Sequence, residues 1–203
     1  MLNKFVLVLK IILYPIYRAL FWYSVEGKEN IPKEKGAVFC SNHISVLDPV
    51  LWIIGVRRSV HFMCKEEMFH NPVMAWFLKK CDVFPIVRGA KDMQSIGNAI
   101  SIVEQNGIVG IYPEGTRSKD GKPGRAKSGV AFIANAAKAD VIPAAVICKG
   151  KLRPFKRIKL VIGKPIPYAE IQFDEHNRNN LHRVSSLIMD HIREIWENGQ
   201  NEW

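Results

Sequence analysis

Residues 36–49 read GAVFCSNHISVLDP. Ala37 to Ser41 is an apolar run of strand length; an imidazole at His43 and a carboxylate at Asp48 follow, just before Pro49. An Asp at the cap with Pro at the first helical position is a standard helix start. The stretch therefore reads as a buried strand, a short loop and a helix. Two roles are open to Asp48. It can cap the helix that Pro49 begins, or it can accept the hydrogen bond of one ring nitrogen of His43 and leave the other as a base. The H-x-x-x-x-D spacing is by itself weak evidence for the second.

The same alternation continues along the chain. Further strand-length runs rich in β-branched residues are Val60 to Cys64, Val83 to Val87, Ile108 to Tyr112, Val141 to Cys148 and Ile158 to Ile162. Between them Met93, Ile96, Ile100 and Val103 recur at helical spacing up to a stop at Asn106-Gly107. A second helix is expected from about Ser128 to Lys138, and a last amphipathic one carries Leu181, Val184, Ile188, Ile192 and Ile195. Strands alternating with helices predict an α/β fold with a mixed, largely parallel sheet flanked by helices. In such folds, sites gather in the loops beyond strand ends.

With 203 residues and 48% hydrophobic content the chain can bury one sizeable core. The net charge of +10 points to an anionic partner without choosing among nucleic acid, an acidic membrane surface and a phosphorylated ligand. No RRM, KH or helix-turn-helix signature supports nucleic acid. Cys40, Cys64, Cys81 and Cys148 form no C-x-x-C pair, so neither a zinc site nor a disulfide framework is indicated, and no metal is expected.

The N-terminus, MLNKFVLVLKIILYPIYRALFWYSV, has three basic residues and no acidic one. Lys10, Pro15 and Arg18 divide it into apolar pieces shorter than a spanning helix requires. On a helical wheel Asn3, Lys4, Lys10 and Arg18 share a sector, which predicts an amphipathic helix or two-helix motif lying in a membrane interface with its basic face toward headgroups. A terminal helix packed on the core is the competing reading. Residues 1–24 are taken as this membrane-associating segment and residues 25–203 as the main domain. The run KGKLRPFKRIK, 149–159, adds six basic residues with no acidic one; it reads either as a solvated loop or as a second contact with an anionic surface.

Residues 111–118, IYPEGTRS, close another apolar strand. Glu114 offers an acceptor, Gly115 lets backbone approach a ligand, Thr116 donates a hydroxyl and Arg117 supplies a fork suited to phosphate. A turn with a solvated arginine would have the same composition. Arg88 ends the strand in VFPIVRG, and Lys127 precedes Gly129 at a helix start; together with Arg117 they could converge on one anion.

NHISVLDP, VFPIVRG, YPEGTRS and VIPAAV around Pro143 stand in the order and spacing of the four blocks that mark the glycerolipid acyltransferases. Over residues 42–146 the chain resembles a bacterial 1-acylglycerol-3-phosphate acyltransferase. The resemblance implies that His43 is the base and Asp48 its orienting partner. It further implies that Arg88, Glu114, Gly115, Thr116 and Arg117 bind the glycerol phosphate, with Lys127 near the phosphate. One departure is Val87, where many relatives carry an aspartate or other polar residue. The implied donor is acyl-CoA or acyl-carrier protein as co-substrate, with no further cofactor; the implied acceptor is a lysophospholipid, and the implied location is the cytoplasmic face of the cell membrane, peripheral or monotopic.

Acyl transfer from a thioester to an alcohol needs the hydroxyl deprotonated and the oxyanion stabilised. A thioester is already activated, so direct transfer suffices. A covalent route through Ser41 or Ser45 stays open, although neither lies in a nucleophile elbow. Backbone amides of the loop after His43 are the expected oxyanion donors.

Overall fold

The computed structural model describes residues 3–87, 93–150, 153–173 and 178–201. Its strands are β1 (Ser24–Glu26), β2 (Ala37–Ser41), β3 (Val60–Lys65), β4 (Phe84–Ile86), β5 (Ile108–Ile111), β6 (Val141–Ile147) and β7 (Lys159–Ile162). They form one sheet in the order β1-β7-β6-β2-β5-β3-β4. Strands β6, β2, β5, β3 and β4 are mutually parallel, β7 lies antiparallel to β6, and β1 parallel to β7. The sheet is thus mixed and largely parallel, as the alternation predicts. Strand β1 is three residues long, too short to show a period, and exists through its pairing of Ser24 with Lys159 and Glu26 with Val161.

The helices are α1 (Lys4–Phe21), α2 (Asp48–Gly55), α3 (Pro72–Lys80), α4 (Met93–Glu104), α5 (Gly129–Ala136), α6 (Tyr168–Ile171) and α7 (Arg178–Asn201). Alternate residues of β2 serve opposite faces of the sheet. Ala37 and Phe39 join Leu51, Trp52 and Ile54 of α2 and Tyr17 and Phe21 of α1. Val38 and Cys40 join Ala99 and Val103 of α4, Val130 and Ile133 of α5, and Val184, Ile188 and Ile192 of α7. Both faces being covered, a central strand buries every side chain, which is why β2 and β6 read as unbroken apolar runs.

Helix α1 starts at Asn3, whose side chain accepts from Phe5 N–H at 3.0 Å. Its last carbonyls, of Leu20 and Phe21, accept from Phe155 and Ile158 N–H in the basic run before β7. Three of the four polar residues expected to face headgroups hydrogen-bond back to the protein, while Lys4 is exposed. Lys10 Nζ donates to Val56 O at 2.7 Å, Arg18 donates to Tyr23 O at 3.1 Å, and Asn3 Nδ2 donates to Lys80 O at 3.1 Å. The cause is local: these donors lie beside Val6, Tyr17 and Phe21, which are buried, and satisfy carbonyls at the same seam. The outward face is apolar, with Leu7, Val8, Ile11, Ile12 and Ile16 exposed. None of the helices among the described residues is long and apolar enough to cross a membrane.

Candidate active site

Strands β2 and β5 are hydrogen-bonded neighbours and parallel, so the loops that leave their C-terminal ends meet. The first carries His43 and Asp48, the second residues 112–118. His43 Nδ1 lies 2.7 Å from Asp48 Oδ2. The same carboxylate oxygen accepts from Ile44 N–H at 2.7 Å and Ser45 N–H at 2.9 Å. Asp48 is therefore the first residue of α2 but points backward, closing the loop on His43 instead of capping the turn ahead. It is fully buried, whereas the imidazole keeps 16% of its side-chain surface open. With Nδ1–H committed to Asp48, a neutral imidazole presents Nε2 as an acceptor, the arrangement a general base requires.

Glu114 sits between the two loops. One carboxylate oxygen accepts His43 N–H and the other Gly124 N–H, both at 3.1 Å. Ser118 N–H in turn donates to His43 O at 2.7 Å. Both peptide groups flanking His43 are thereby fixed by the loop after β5. Burial raises the Glu114 pKa, and the two N–H donors oppose that shift.

Aromatic stacking fixes the ring itself. Tyr112 lies nearly parallel to His43 with centroids 4.1 Å apart, and Phe62 of β3 stacks behind Tyr112 at 5.7 Å. Gly110 makes this column possible, since a Cβ there would sit 2.3 Å from the Phe62 ring. Burial, and secondarily the charge of Asp48, push the Tyr112 phenol well above its ordinary pKa. Among the described residues, Tyr112 Oη and Asp48 Oδ1 are buried without a hydrogen-bond partner.

Asn42 anchors the histidine from the other side. Its side chain donates to Val146 O at 3.0 Å and accepts from Val146 N–H at 2.8 Å, reproducing a ladder rung between the end of β2 and β6. Neither this clamp nor the Phe62–Tyr112–His43 column is visible in local sequence. A buried Asn directly after a strand, and an aromatic opening the PEGTRS block, are the only local signals.

The remaining candidates occupy the mouth. Gly115 has φ +67°, and the Lys127 side chain crosses it so closely that a Cβ would meet Nζ at 2.9 Å. Lys127 N–H donates to Pro113 O at 2.8 Å. Thr116, Arg117 and Lys127 are exposed. Arg88 lies outside the described residues. Ser41 is buried and donates to Asn42 O, while Ser45 Oγ accepts from Leu47 N–H. The amides of Ile44 and Ser45 serve Asp48 and that of Leu47 serves Ser45, so these three do not supply the expected oxyanion hole. A hollow of about 400 Å³ opens beside the site between Ile44, Ser45, Ser118, Asp120 and Gly150. A larger one, about 670 Å³, lies at the end of α1 against Lys159 of β7 and is lined by none of the candidate site residues; the smaller one is the relevant cavity because Ile44 and Ser45, the residues after His43, line it.

The family described as Acyltransferase matches residues 23–147. A 1-acyl-sn-glycerol-3-phosphate acyltransferase of Bacillus subtilis is 34% identical over 182 residues, covering 85% of this chain and 87% of that protein. The chloroplastic 1-acyl-sn-glycerol-3-phosphate acyltransferase LPAT1 of Arabidopsis thaliana is 29% identical over 76% of this chain and 45% of its own length. In fold, the chain is similar to the crystal structure of the 1-acyl-sn-glycerophosphate acyltransferase of Thermotoga maritima, with a TM-score of 0.72, 24% identity, and coverage of 94% of this chain and 79% of that one.

Proposed function

The chain belongs to the acyltransferase family, and from that premise we propose that it transfers an acyl group from a thioester donor to the free hydroxyl of 1-acylglycerol 3-phosphate, giving phosphatidic acid. The observation that carries this reading is the His43–Asp48 contact of 2.7 Å at a strand end, with the imidazole backbone held by Glu114 and Ser118.

In the step, the acceptor hydroxyl oxygen attacks the thioester carbonyl while His43 Nε2 takes its proton. Asp48 orients the ring and stabilises the imidazolium. The tetrahedral intermediate collapses with cleavage of the C–S bond, and the leaving sulfur receives the proton from His43. An ester and a free thiol result, and the step as written needs no cofactor. Direct transfer is favoured over an acyl-serine, because Ser41 is buried and donates to the Asn42 carbonyl. Arg117, Thr116, Lys127 and Arg88 bind the acceptor phosphate in this reading. We assign Glu114 to positioning instead, since both its oxygens accept backbone N–H groups.

The donor is acyl-CoA or acyl-carrier protein. The protein works at the cytoplasmic face of the cell membrane as a peripheral or monotopic enzyme, held there by the apolar outer face of α1 and by the basic run 149–159.

The test is a panel in which 1-acylglycerol 3-phosphate, glycerol 3-phosphate and uncharged lysolipids are each supplied with labelled acyl-CoA or acyl-carrier protein. Labelled phosphatidic acid from the first acceptor, at a kcat/KM above the rest, is expected. Preference for glycerol 3-phosphate or for an uncharged lysolipid would overturn the acceptor assignment.

A further inference from the structure

Helix α3 is apolar yet contains no buried residue. Its sequence, PVMAWFLKK, has no charge before the terminal lysines, and Val73, Trp76, Met74 and Phe77 are 74%, 56%, 39% and 38% exposed. Leu78 packs against the core, but the rest of the helix gains little from its own domain, and nine residues are too few for it to persist on propensity alone. Contiguous exposed apolar surface of this kind marks a contact face.

The surface does not stop at α3. The Phe5 ring of α1 meets Trp76 edge-on at 5.6 Å and Phe77 at 6.1 Å. Asn3 at the start of α1 is hydrogen-bonded to Lys80 O at the end of α3. The outward residues of α1, Leu7, Val8, Ile11 and Ile12, continue the same face.

We propose that α3 is a second lipid-inserting element, which together with α1 seats the protein in one leaflet of an anionic bilayer. The proposal rests on the acyltransferase reading, in that the acceptor is a lipid amphiphile. Charge selects the occupant. Neither helix carries an acidic residue, and Lys4, Lys79 and Lys80 are exposed at its margin. An anionic headgroup layer complements that margin. A two-fold contact with a second copy would bring like charges toward each other. At nine residues, about 14 Å, α3 cannot span a bilayer and lies along the interface, a depth that suits Trp76.

The experiment uses the full chain and phosphatidylcholine vesicles with and without phosphatidylglycerol, in the absence of donor and acceptor. Val73→Glu should weaken partition into the anionic vesicles by about tenfold or more, the value of one apolar side chain withdrawn from lipid, with an unchanged thermal midpoint. Trp76→Phe keeps the apolar surface, so binding should persist, but the part of the tryptophan fluorescence that brominated lipid quenches should fall. Undiminished partition of Val73→Glu, or full quenching in Trp76→Phe, overturns the proposal. So does light scattering that shows Val73→Glu dissociating a dimer while vesicle binding stays intact. Acyl transfer by each variant to a short-chain soluble acceptor is assayed separately. Its failure in the wild-type chain would count against the enzymatic reading and leave the vesicle result standing on its own.

Discussion

The Asp48 Oδ2 atom sits 2.7 Å from His43 Nδ1 and also accepts the amide hydrogens of Ile44 and Ser45. One buried oxygen thus folds the loop and orients the ring together. His43→Ala should lower turnover by about two to four orders of magnitude, the usual worth of a general base, with the fold retained by circular dichroism. Asn keeps a side-chain oxygen for the Ile44 and Ser45 amides but is a poorer partner for an imidazolium, so Asp48→Asn should also cost about two orders or more in kcat. An Asp48→Asn enzyme with normal turnover would reduce Asp48 to a structural role.

Tyr112 presents its face to the imidazole, while its hydroxyl is buried without a partner among the described residues. Tyr112→Phe keeps the ring and removes an unsatisfied group, so stability should hold or rise by about 1 kcal/mol in urea melts. Tyr112→Leu removes the ring that stacks on the imidazole and holds its plane. Its kcat should fall about tenfold or more relative to both wild type and Tyr112→Phe.

Asn42 holds both polar groups of the Val146 peptide inside the protein. Asn42→Ala leaves a buried N–H and a buried C=O unpaired, at a cost of about 2–5 kcal/mol. The denaturation midpoint should drop accordingly. An unchanged midpoint would mean that the rung contributes nothing.

Arg117 stands exposed on the loop after β5. Arg117→Lys retains charge but loses the planar fork, so the KM for 1-acylglycerol 3-phosphate should rise about tenfold with little change for the donor. The opposite pattern would move Arg117 to the donor site.

His61 in β3 is half-buried, and burial lowers its pKa from the ordinary 6.5, with Asp82 opposing. The unfolded chain therefore takes up this proton first as pH falls. Stability from this group is whole above pH 6.5 and is lost on acidification, until the pH passes below the lowered folded value. His61→Gln should flatten the decline of the urea midpoint between about pH 7 and 5. A variant that declines as steeply as wild type would assign that slope to other groups.

A deletion of residues 1–24 cannot serve as a clean test of membrane attachment. Tyr17, Phe21 and Tyr23 are buried in the core, and Tyr23 Oη donates to Leu51 O at 2.5 Å. Substitutions on the outer face, such as Ile12→Glu, separate attachment from folding because that side chain is 53% exposed.

What was legible from the chain alone was whatever repeats or adjoins within a few residues. β-Branched runs and helical spacing located β2 to β7, α4, α5 and α7, and the five-residue step from His43 to Asp48 is a contact across one turn. Tertiary structure decided everything that depends on which strands lie side by side. Glu114 reaches His43 across 71 positions, and Asn42 reaches Val146 across 104, because the order of the sheet brings β5 and β6 to either side of β2. A helical wheel finds the polar sector of α1 but not its direction. Lys10 and Arg18 bond back to the carbonyls of Val56 and Tyr23, polar groups that packing of the chain placed within their reach, and the apolar side of α1, with α3 beside it, faces out.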